Sequence, residues 1–260
     1  MAKLKVTSCG ITDLGRKRQN NEDNYLINDE LNLYIVADGM GGHAGGEFAS
    51  QIAVNTVEEV FTNLDSVIPQ GPASGELTQD AMIQEKIEYA IRLAGRRIYE
   101  KALEDPEYRG MGTTALGIYM SQDRMFISHV GDSRGYRIRK NSIEQLTEDH
   151  SLVNEQIKAG ILSPEMAKTH RLKNIITRSL GYQEEVEVDT RIEVLEEGDT
   201  FLLCSDGLSN MVEEHEMLEL VTRYHFQEAA NRLIEAANER GGDDNITVVL
   251  ARVERVGTRA

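Results

Sequence analysis

The residues best suited to chemistry in this sequence are aspartates at the ends of apolar runs. Asp38, Asp132 and Asp206 each follow such a run, directly or after one small residue, and Asp244 stands just before the run 246–250. A carboxylate at the end of a buried strand costs free energy unless it is paired or binds a metal. Several carboxylates in one place repel each other unless cations lie between them. The pattern therefore predicts a site for divalent cations.

The ligand types indicate which cation. Oxygen ligands without a cluster of His or Cys favour magnesium or manganese over zinc or copper, and the DxDxDG spacing of calcium-binding EF-hand loops does not occur. Asp-Gly and Asp-Asn pairs also form turns, so one such aspartate alone would indicate only a turn. Four together favour a metal site. Gly39 and the glycines at 41–42 would let backbone carbonyls approach an ion.

A segment of mixed charge, residues 13–23, supplies a second candidate element. Arg18 stands a few positions before the acidic pair Glu22 and Asp23. Its planar guanidinium could bind a phosphate while the two acidic residues hold a metal or its waters. A plain charged loop is the alternative interpretation.

Composition excludes several classes of protein. The 260 residues are 40% hydrophobic and 28% charged, as in ordinary globular proteins, and the net charge of -16 disfavours binding to nucleic acid or anionic membranes. We expect a cytoplasmic protein, because no run of about 18 uncharged apolar residues or secretory signal is present. Cys9 and Cys204 lie far apart and without CxxC spacing, so neither a disulfide framework nor a thiolate zinc site is predicted.

Periodicity predicts the elements that position these residues. Apolar runs of strand length occur at 3–12, 23–27, 33–37, 114–120, 125–130, 136–139, 187–195, 200–204 and 246–253. Helical spacing occurs over 48–64, 82–98, 218–221 and 233–237. Strands in runs and helices in pairs favour an α+β fold of antiparallel sheets covered by helices. We expect one domain, residues 1–260, with a surface loop at 65–78 and an inserted segment at about 148–177.

Seven motifs carry a resemblance that spans nearly the whole chain. They are RxxNED at 18–23, VADGMGGHAGGE at 36–47, MGTT at 111–114, HVGDSR at 129–134, LTxDHS at 146–151, LCSDGL at 203–208 and GDDNIT at 242–247. In this order the chain resembles the protein phosphatase 2C family of metal-dependent Ser/Thr protein phosphatases, in its single-domain bacterial branch. The resemblance implies a four-layer α-β-β-α sandwich with two central antiparallel sheets, flanking helix pairs and a flap-like insertion.

The resemblance also implies a role for each acidic residue. Asp38 would bridge two Mn²⁺ or Mg²⁺ ions, with the Gly39 carbonyl on one ion and Asp206 and Asp244 on the other.

Glu22 and Asp23 would serve the second ion directly or through water, and the order between them stays open. Asp132, together with Asp206, would hold a third and weaker ion.

The implied reaction is hydrolysis of phosphoserine and phosphothreonine in proteins. Two ions that share a water lower its pKa from about 15.7 to about 7, which gives a hydroxide that attacks phosphorus in line. Arg18 would bind the phosphoryl oxygens, and His43 or a water on the third ion would protonate the leaving group. His129, inside an apolar run, is predicted to be a core histidine, whereas His150 and His170 flank the insertion.

The resemblance leaves other functions open. A metal-loaded binding or regulatory module would keep the scaffold without turnover, although it would have no need for mutually repelling carboxylates. A phosphatase for non-Ser/Thr sites or small phosphoesters is a further alternative. The expected partners are phosphorylated proteins and an opposing bacterial Ser/Thr kinase, in a signalling role, with no nucleic acid and no membrane. We expect a monomer.

Overall fold

The computed structural model describes residues 3–41, 45–63 and 78–257. Within these residues the strands are β1 (Lys5–Asp13), β2 (Asp23–Asn28), β3 (Leu33–Met40), β4 (Gly112–Thr113), β5 (Ala115–Ser121), β6 (Arg124–Val130), β7 (Arg134–Arg139), β8 (Ser142–Gln145), β9 (Asp189–Val194), β10 (Thr200–Cys204) and β11 (Ile246–Arg255). The helices are α1 (Gly45–Thr62), α2 (Gln79–Glu104), α3 (Leu152–Lys158), α4 (Pro164–Lys168), α5 (Asp206–Ser209), α6 (Glu214–Arg223) and α7 (Phe226–Glu239).

The strands form two antiparallel sheets. One has the order β1-β11-β10-β7-β8, and the other has the order β2-β3-β5-β6-β9 with the short β4 paired to β3. The outer strand β1 pairs along its whole length with β11, which brings the start and the end of the described chain together.

The alternation of side chains along β10 shows how the layers stack. Phe201 and Leu203 face the other sheet, whereas Leu202 and Cys204 pack towards the C-terminal helices. Because both faces are covered, every residue of this strand is buried and the strand reads as a continuous apolar run.

Helix pairs cover the two outer faces. Helices α1 and α2 pack on Leu33, Ile35 and Ala37 of β3, and helices α6 and α7 pack on the outer face of the first sheet. The result is a four-layer α-β-β-α arrangement, as predicted. No helix in the described ranges is long and apolar enough to cross a membrane.

The observed elements differ from the sequence prediction in small ways. Strands β4 and β8 were too short to produce a periodic signal, and β3 extends through Asp38 to Met40 instead of ending before it, because β4 pairs with Gly39 and Met40. The predicted insertion contains the short helices α3 and α4. Most of the predicted loop at 65–78 lies outside the described residues.

Candidate active site

The topology brings the acidic residues of both sheets to the same end of the sandwich. Asp38 lies near the C-terminal end of β3 and Asp132 follows β6, which runs in the same direction as β3. In the other sheet, Asp206 follows β10 and Asp244 precedes its antiparallel partner β11.

The start of β2 adds Asp23, which is 5% exposed. One carboxylate oxygen, Oδ2, accepts hydrogen bonds from Ser205 Oγ at 2.8 Å and from Thr247 Oγ1 at 2.6 Å. The other oxygen, Oδ1, is buried without a hydrogen-bond partner. Because the first sheet donates both bonds, the carboxylate from the second sheet is held in one orientation.

Asn245 positions the neighbouring acidic residue. Its side-chain amide donates to the carbonyls of Leu14 and Asn20, each at 3.0 Å, and its Oδ1 accepts the N–H of Glu22 at 2.8 Å. Asn245, Ser205 and Thr247 are site residues that the pattern of acidic positions does not reveal. Their signal in the sequence is their place beside Asp206 and Asp244 in two of the motifs.

Gly39 allows the start of α1 and the residue before β2 to approach its backbone closely. A Cβ atom at this position would lie 2.1 Å from the carbonyl oxygen of Gly46 and 2.5 Å from that of Glu22. The N–H of Gly39 also donates to the Glu22 carbonyl at 3.2 Å. A side chain would therefore push the start of α1 away from the acidic residues.

Burial and mutual repulsion dominate the electrostatics. Burial, and then the charges of Asp23, Asp206, Asp132 and Asp244, raise the pKa of Asp38 well above its usual range. The same causes, burial first, raise the pKa of Asp23 to about 7, of Asp132 to about 8 and of Asp206 to about 6. Burial also raises the pKa of Glu22. Without a compensating cation, burial and mutual repulsion disfavour the ionised forms of these carboxylates.

Unpartnered carboxylate oxygens test whether the residues fit metal ions. In the described part of the chain, the buried oxygens Oε1 of Glu22 and Oδ1 of Asp23, Asp132 and Asp206 have no hydrogen-bond partner. Buried polar atoms without partners are rare and call for an explanation such as an ion. Oxygen donors of this kind are the ligands that Mg²⁺ and Mn²⁺ prefer. The donor set therefore fits hard divalent cations.

Arg18 lies at the edge of this cluster. Its Nη2 atom donates to Asp244 Oδ2 at 2.6 Å, and Nη1 lies 4.0 Å from Glu22 Oε2. Its side chain is 45% exposed, so solvent and a substrate can reach it. His43, the predicted proton donor, lies outside the described residues.

A cleft leads from the acidic cluster under the inserted segment. The cavity of about 660 Å³ has Asp132 and Asp206 at one end and residues of α3, α4 and α6 along its walls. Lys168 of α4 reaches across to Glu213 at 2.9 Å. Because its volume is about 660 Å³, the cleft can hold a substrate larger than phosphate alone.

Of the other histidines, His129 is buried in β6. Its Nε2 atom lies 2.8 Å from the Glu148 carbonyl, and burial lowers its pKa to about 4. The prediction of a hydrogen-bonded core histidine is confirmed.

Comparisons with known proteins agree with this geometry. The profile of the protein phosphatase 2C family matches residues 15–251. The chain is 42% identical over 248 residues to the serine/threonine phosphatase Stp of Listeria innocua, with 94% of each chain covered. It is 40% identical over 246 residues to the protein phosphatase PhpP of Streptococcus pneumoniae, which covers 92% of this chain and 94% of that one.

Solved structures show the same fold. Serine/threonine phosphatase Stp1 of Staphylococcus aureus is 32% identical, with a TM-score of 0.86 and 98% of both chains covered. The catalytic domain of the Ser/Thr protein phosphatase PstP, solved with two manganese ions, is 35% identical, with a TM-score of 0.80 and coverage of 97% and 100%. The fold prediction is thus confirmed, and with the profile match and these identities, the chain belongs to the protein phosphatase 2C family.

Proposed function

We propose that this chain, as a metal-dependent Ser/Thr protein phosphatase, binds its two Mn²⁺ or Mg²⁺ ions through the acidic cluster described above. The observation that carries the proposal is the set of buried carboxylate oxygens without hydrogen-bond partners, which come from residues at the strand ends of both sheets. Asp38 is assigned as the ligand shared by both ions, with the Gly39 carbonyl, Asp206 and Asp244 as further ligands. Glu22 and Asp23 complete the set.

The chain's own residues bind and orient the substrate. When bound, a pair of such ions supplies Lewis acidity, which lowers the pKa of water and neutralises charge on the phosphoryl group. Arg18 binds phosphoryl oxygens with its planar guanidinium, because it stands beside the cluster and is exposed to solvent. Ser205 and Thr247 fix the orientation of the Asp23 carboxylate, and Asn245 holds the backbone of Glu22. His43 lies outside the described residues, so its role as proton donor to the leaving group stays a prediction from the sequence, with the alternative donor named there still open.

A third, weaker ion is assigned to Asp132 and Asp206. The support is that Asp132 Oδ1 is buried without a partner, and that the charge of Asp206 adds to burial in raising the pKa of Asp132. Both residues line the cleft under the insertion, so an ion held there would face the substrate.

The wider biological assignment rests on chemistry. The substrates are phosphorylated proteins, and a bacterial Ser/Thr kinase must supply them. We assign the protein to the cytoplasm, where both cysteines would stay reduced. We assign it as a monomer of one domain, with residues of about 148–177 forming a flap over the cleft.

Turnover and metal counting test the proposal together. We expect the purified protein with Mn²⁺ to hydrolyse a phosphothreonine peptide and an aryl phosphate, and to stop with chelator. Calorimetry of the metal-free protein should count two tight ions and one weak ion, and Asp132→Asn should remove only the weak one. Turnover of the aryl phosphate alone would favour a small-phosphoester enzyme. Bound metal without any turnover would favour a binding module.

A further inference from the structure

His150 joins the start of the inserted segment to the backbone beside Asp132. The Gly131 N–H donates to His150 Nδ1 at 3.0 Å, and the His150 N–H donates to the Gly131 carbonyl at 3.0 Å. His150 is 7% exposed, and the next residue, Ser151, is the N-cap of α3. One buried residue thus contacts both the loop that carries Asp132 and the first helix of the insertion.

The contacts fix the tautomer of His150. Because a backbone N–H can only donate, Nδ1 must be the unprotonated nitrogen. In the neutral ring the proton then lies on Nε2, which faces Asp189 Oδ2 at 3.2 Å and also has the donor Arg178 Nη1 at 3.1 Å. Arg178 Nη1 holds Asp189 in place at 2.7 Å, and the His129 ring stacks on the His150 ring at 4.8 Å between centroids.

The group formed by His129, His150 and Asp189 stabilises the local structure and is not a metal site. Ligand atoms of His129, His150 and Asp189 lie within 4.8 Å of one another, as they would around an ion. However, the two rings are stacked with only 15° between their planes, so no single ion can lie in both planes. Arg178 Nη1 also lies 3.1 Å from His150 Nε2, where its charge would repel a cation.

A second contact holds the same loop from the other side. Arg134, two residues after Asp132, donates from Nε to Asp149 Oδ1 at 3.0 Å and from Nη2 to Oδ2 at 2.7 Å. Residues 149–150 therefore contact the chain on both sides of Asp132, because His150 bonds to Gly131 and Asp149 bonds to Arg134.

The loop also packs against Thr114, the single residue between β4 and β5. A Cβ on Gly131, whose φ is +110°, would lie 2.5 Å from Thr114 Cγ2. Thr114 Oγ1 accepts the N–H of Asp38 at 2.9 Å and shares a hydrogen bond of 2.7 Å with Ser133 Oγ. A displacement of Gly131 would therefore shift the position of Asp132 and, through Thr114, that of Asp38.

From this geometry we propose that His150 is a positioning residue for the third cation, since its Nδ1 acceptor holds the Gly131–Asp132 backbone in place. The proposal rests on the third site assigned under the proposed function. It gives the start of the inserted segment a second role: the insertion and the third ion share one anchor, so a change in one alters the other.

Two substitutions of similar polarity separate the two nitrogens of the ring. His150→Asn places an amide oxygen close to the position of Nδ1 and can still accept the Gly131 N–H. His150→Gln places its amide near Nε2, where it can contact Asp189, and leaves the Gly131 N–H without an acceptor. Both variants lose the stacking on His129. His225→Gln, at an exposed position, is the control for a surface histidine.

The main readout is Mn²⁺ binding to the metal-free proteins, measured by calorimetry and by electron paramagnetic resonance of free Mn²⁺. An unpaired buried N–H weakens the structure that depends on it, so we expect His150→Gln to raise the Kd of the weak ion about tenfold. The two tight ions should keep their Kd within about twofold, and His150→Asn should restore the weak site to within about threefold of the parent. The Mn²⁺ concentration for half-maximal turnover should follow the same order.

Three results would overturn the proposal: a weak-site Kd that His150→Gln leaves unchanged, equal behaviour of the Asn and Gln variants, or a parent protein that binds only two ions. A purely structural role would instead lower the Tm of both variants and weaken all ions together. Failure of the proposed function is distinct, because it would appear as a parent protein that binds Mn²⁺ without hydrolysing the phosphothreonine peptide.

Discussion

Asp23 and Asp38 are register partners on the antiparallel strands β2 and β3. Directly opposite residues have Cβ atoms about 5 Å apart, and like charges at such positions are destabilising. The charge of Asp23 accordingly adds to burial in raising the pKa of Asp38. The pairing of β2 with β3 therefore places two carboxylates side by side. Bound protons or cations are needed to offset their repulsion.

Asp38→Asn should separate activity from stability. Removing one charge from the cluster relieves repulsion in the metal-free protein, so we expect its Tm at pH 8 to rise by about 2 °C or more. Turnover of the phosphothreonine peptide should fall at least about 1000-fold, because under the proposed assignment Asp38 would be the ligand shared by the two ions. Calorimetric unfolding and steady-state kinetics measure the two effects.

Asp243→Asn is the matched control for this substitution. Asp243 lies one residue from Asp244, but its side chain is 50% exposed and pairs with Lys17. Both Tm and turnover should stay close to those of the parent. A fully active Asp38→Asn enzyme would remove the assignment of Asp38 as the shared ligand.

The metal-free protein should lose stability as pH rises. The pKa values of Asp23 and Asp132, about 7 and about 8, exceed the unfolded value of about 3.9. The folded state therefore holds more protons, and its stability falls as pH rises from the unfolded value up to these folded values, above which it levels off. His129, whose pKa is lowered to about 4, opposes this trend only below about pH 6.5.

The window from pH 6.5 to 8.5 thus isolates the carboxylates. We expect the Tm of the metal-free protein to fall by several degrees across this window, and saturating Mg²⁺ to raise Tm more at the upper end than at the lower. Differential scanning calorimetry in chelator and in Mg²⁺ gives both curves. A Tm of the metal-free protein that rises with pH would show that the carboxylates are not crowded together.

Arg18→Ala should act mainly on substrate binding. Hydrogen bonds to charged groups contribute about 1.5–3 kcal/mol, so we expect KM for the phosphothreonine peptide to rise about tenfold or more. kcat should change by less than about threefold if the guanidinium binds ground state and transition state alike. Arg18→Lys keeps the charge without the planar fork and should give an intermediate KM. An unaltered KM in the alanine variant would make Arg18 a partner of Asp244 only.

Gly39→Ala tests the close approach of the loops. The added Cβ would meet the Gly46 carbonyl oxygen at 2.1 Å, so backbone must move, and we expect a loss of about 3 kcal/mol or more. Gly117→Ala, in β5, is the control, because its nearest neighbour would lie at 3.9 Å, an ordinary contact. Urea unfolding of both variants gives the comparison. Similar free energies of unfolding would mean that the start of α1 moves easily to make room for the added Cβ.

The sequence predicts the layers and the acidic cluster well because each depends on a local pattern. Continuous apolar runs such as β10 indicate strands covered on both faces, and motif residues such as Asp206 follow them directly. Contacts that depend on tertiary register could not be predicted. The two-residue strand β4 has no period, and the bonds of Thr247 to Asp23 and of Gly131 to His150 join residues distant in sequence.

The acidic residues of the proposed metal site come from both sheets. Asp38 lies in β3 and Asp132 follows β6 of one sheet, whereas Asp206 follows β10 and Asp244 precedes β11 of the other. Under the proposed assignment, the cations would hold the two sheets together at this end of the sandwich. Without them, repulsion between the carboxylates would tend to separate the sheets. The availability of Mn²⁺ or Mg²⁺ would then determine the local stability of this end of the sandwich as well as catalysis. When these ions are scarce, the same end of the two sheets would become more accessible to proteases.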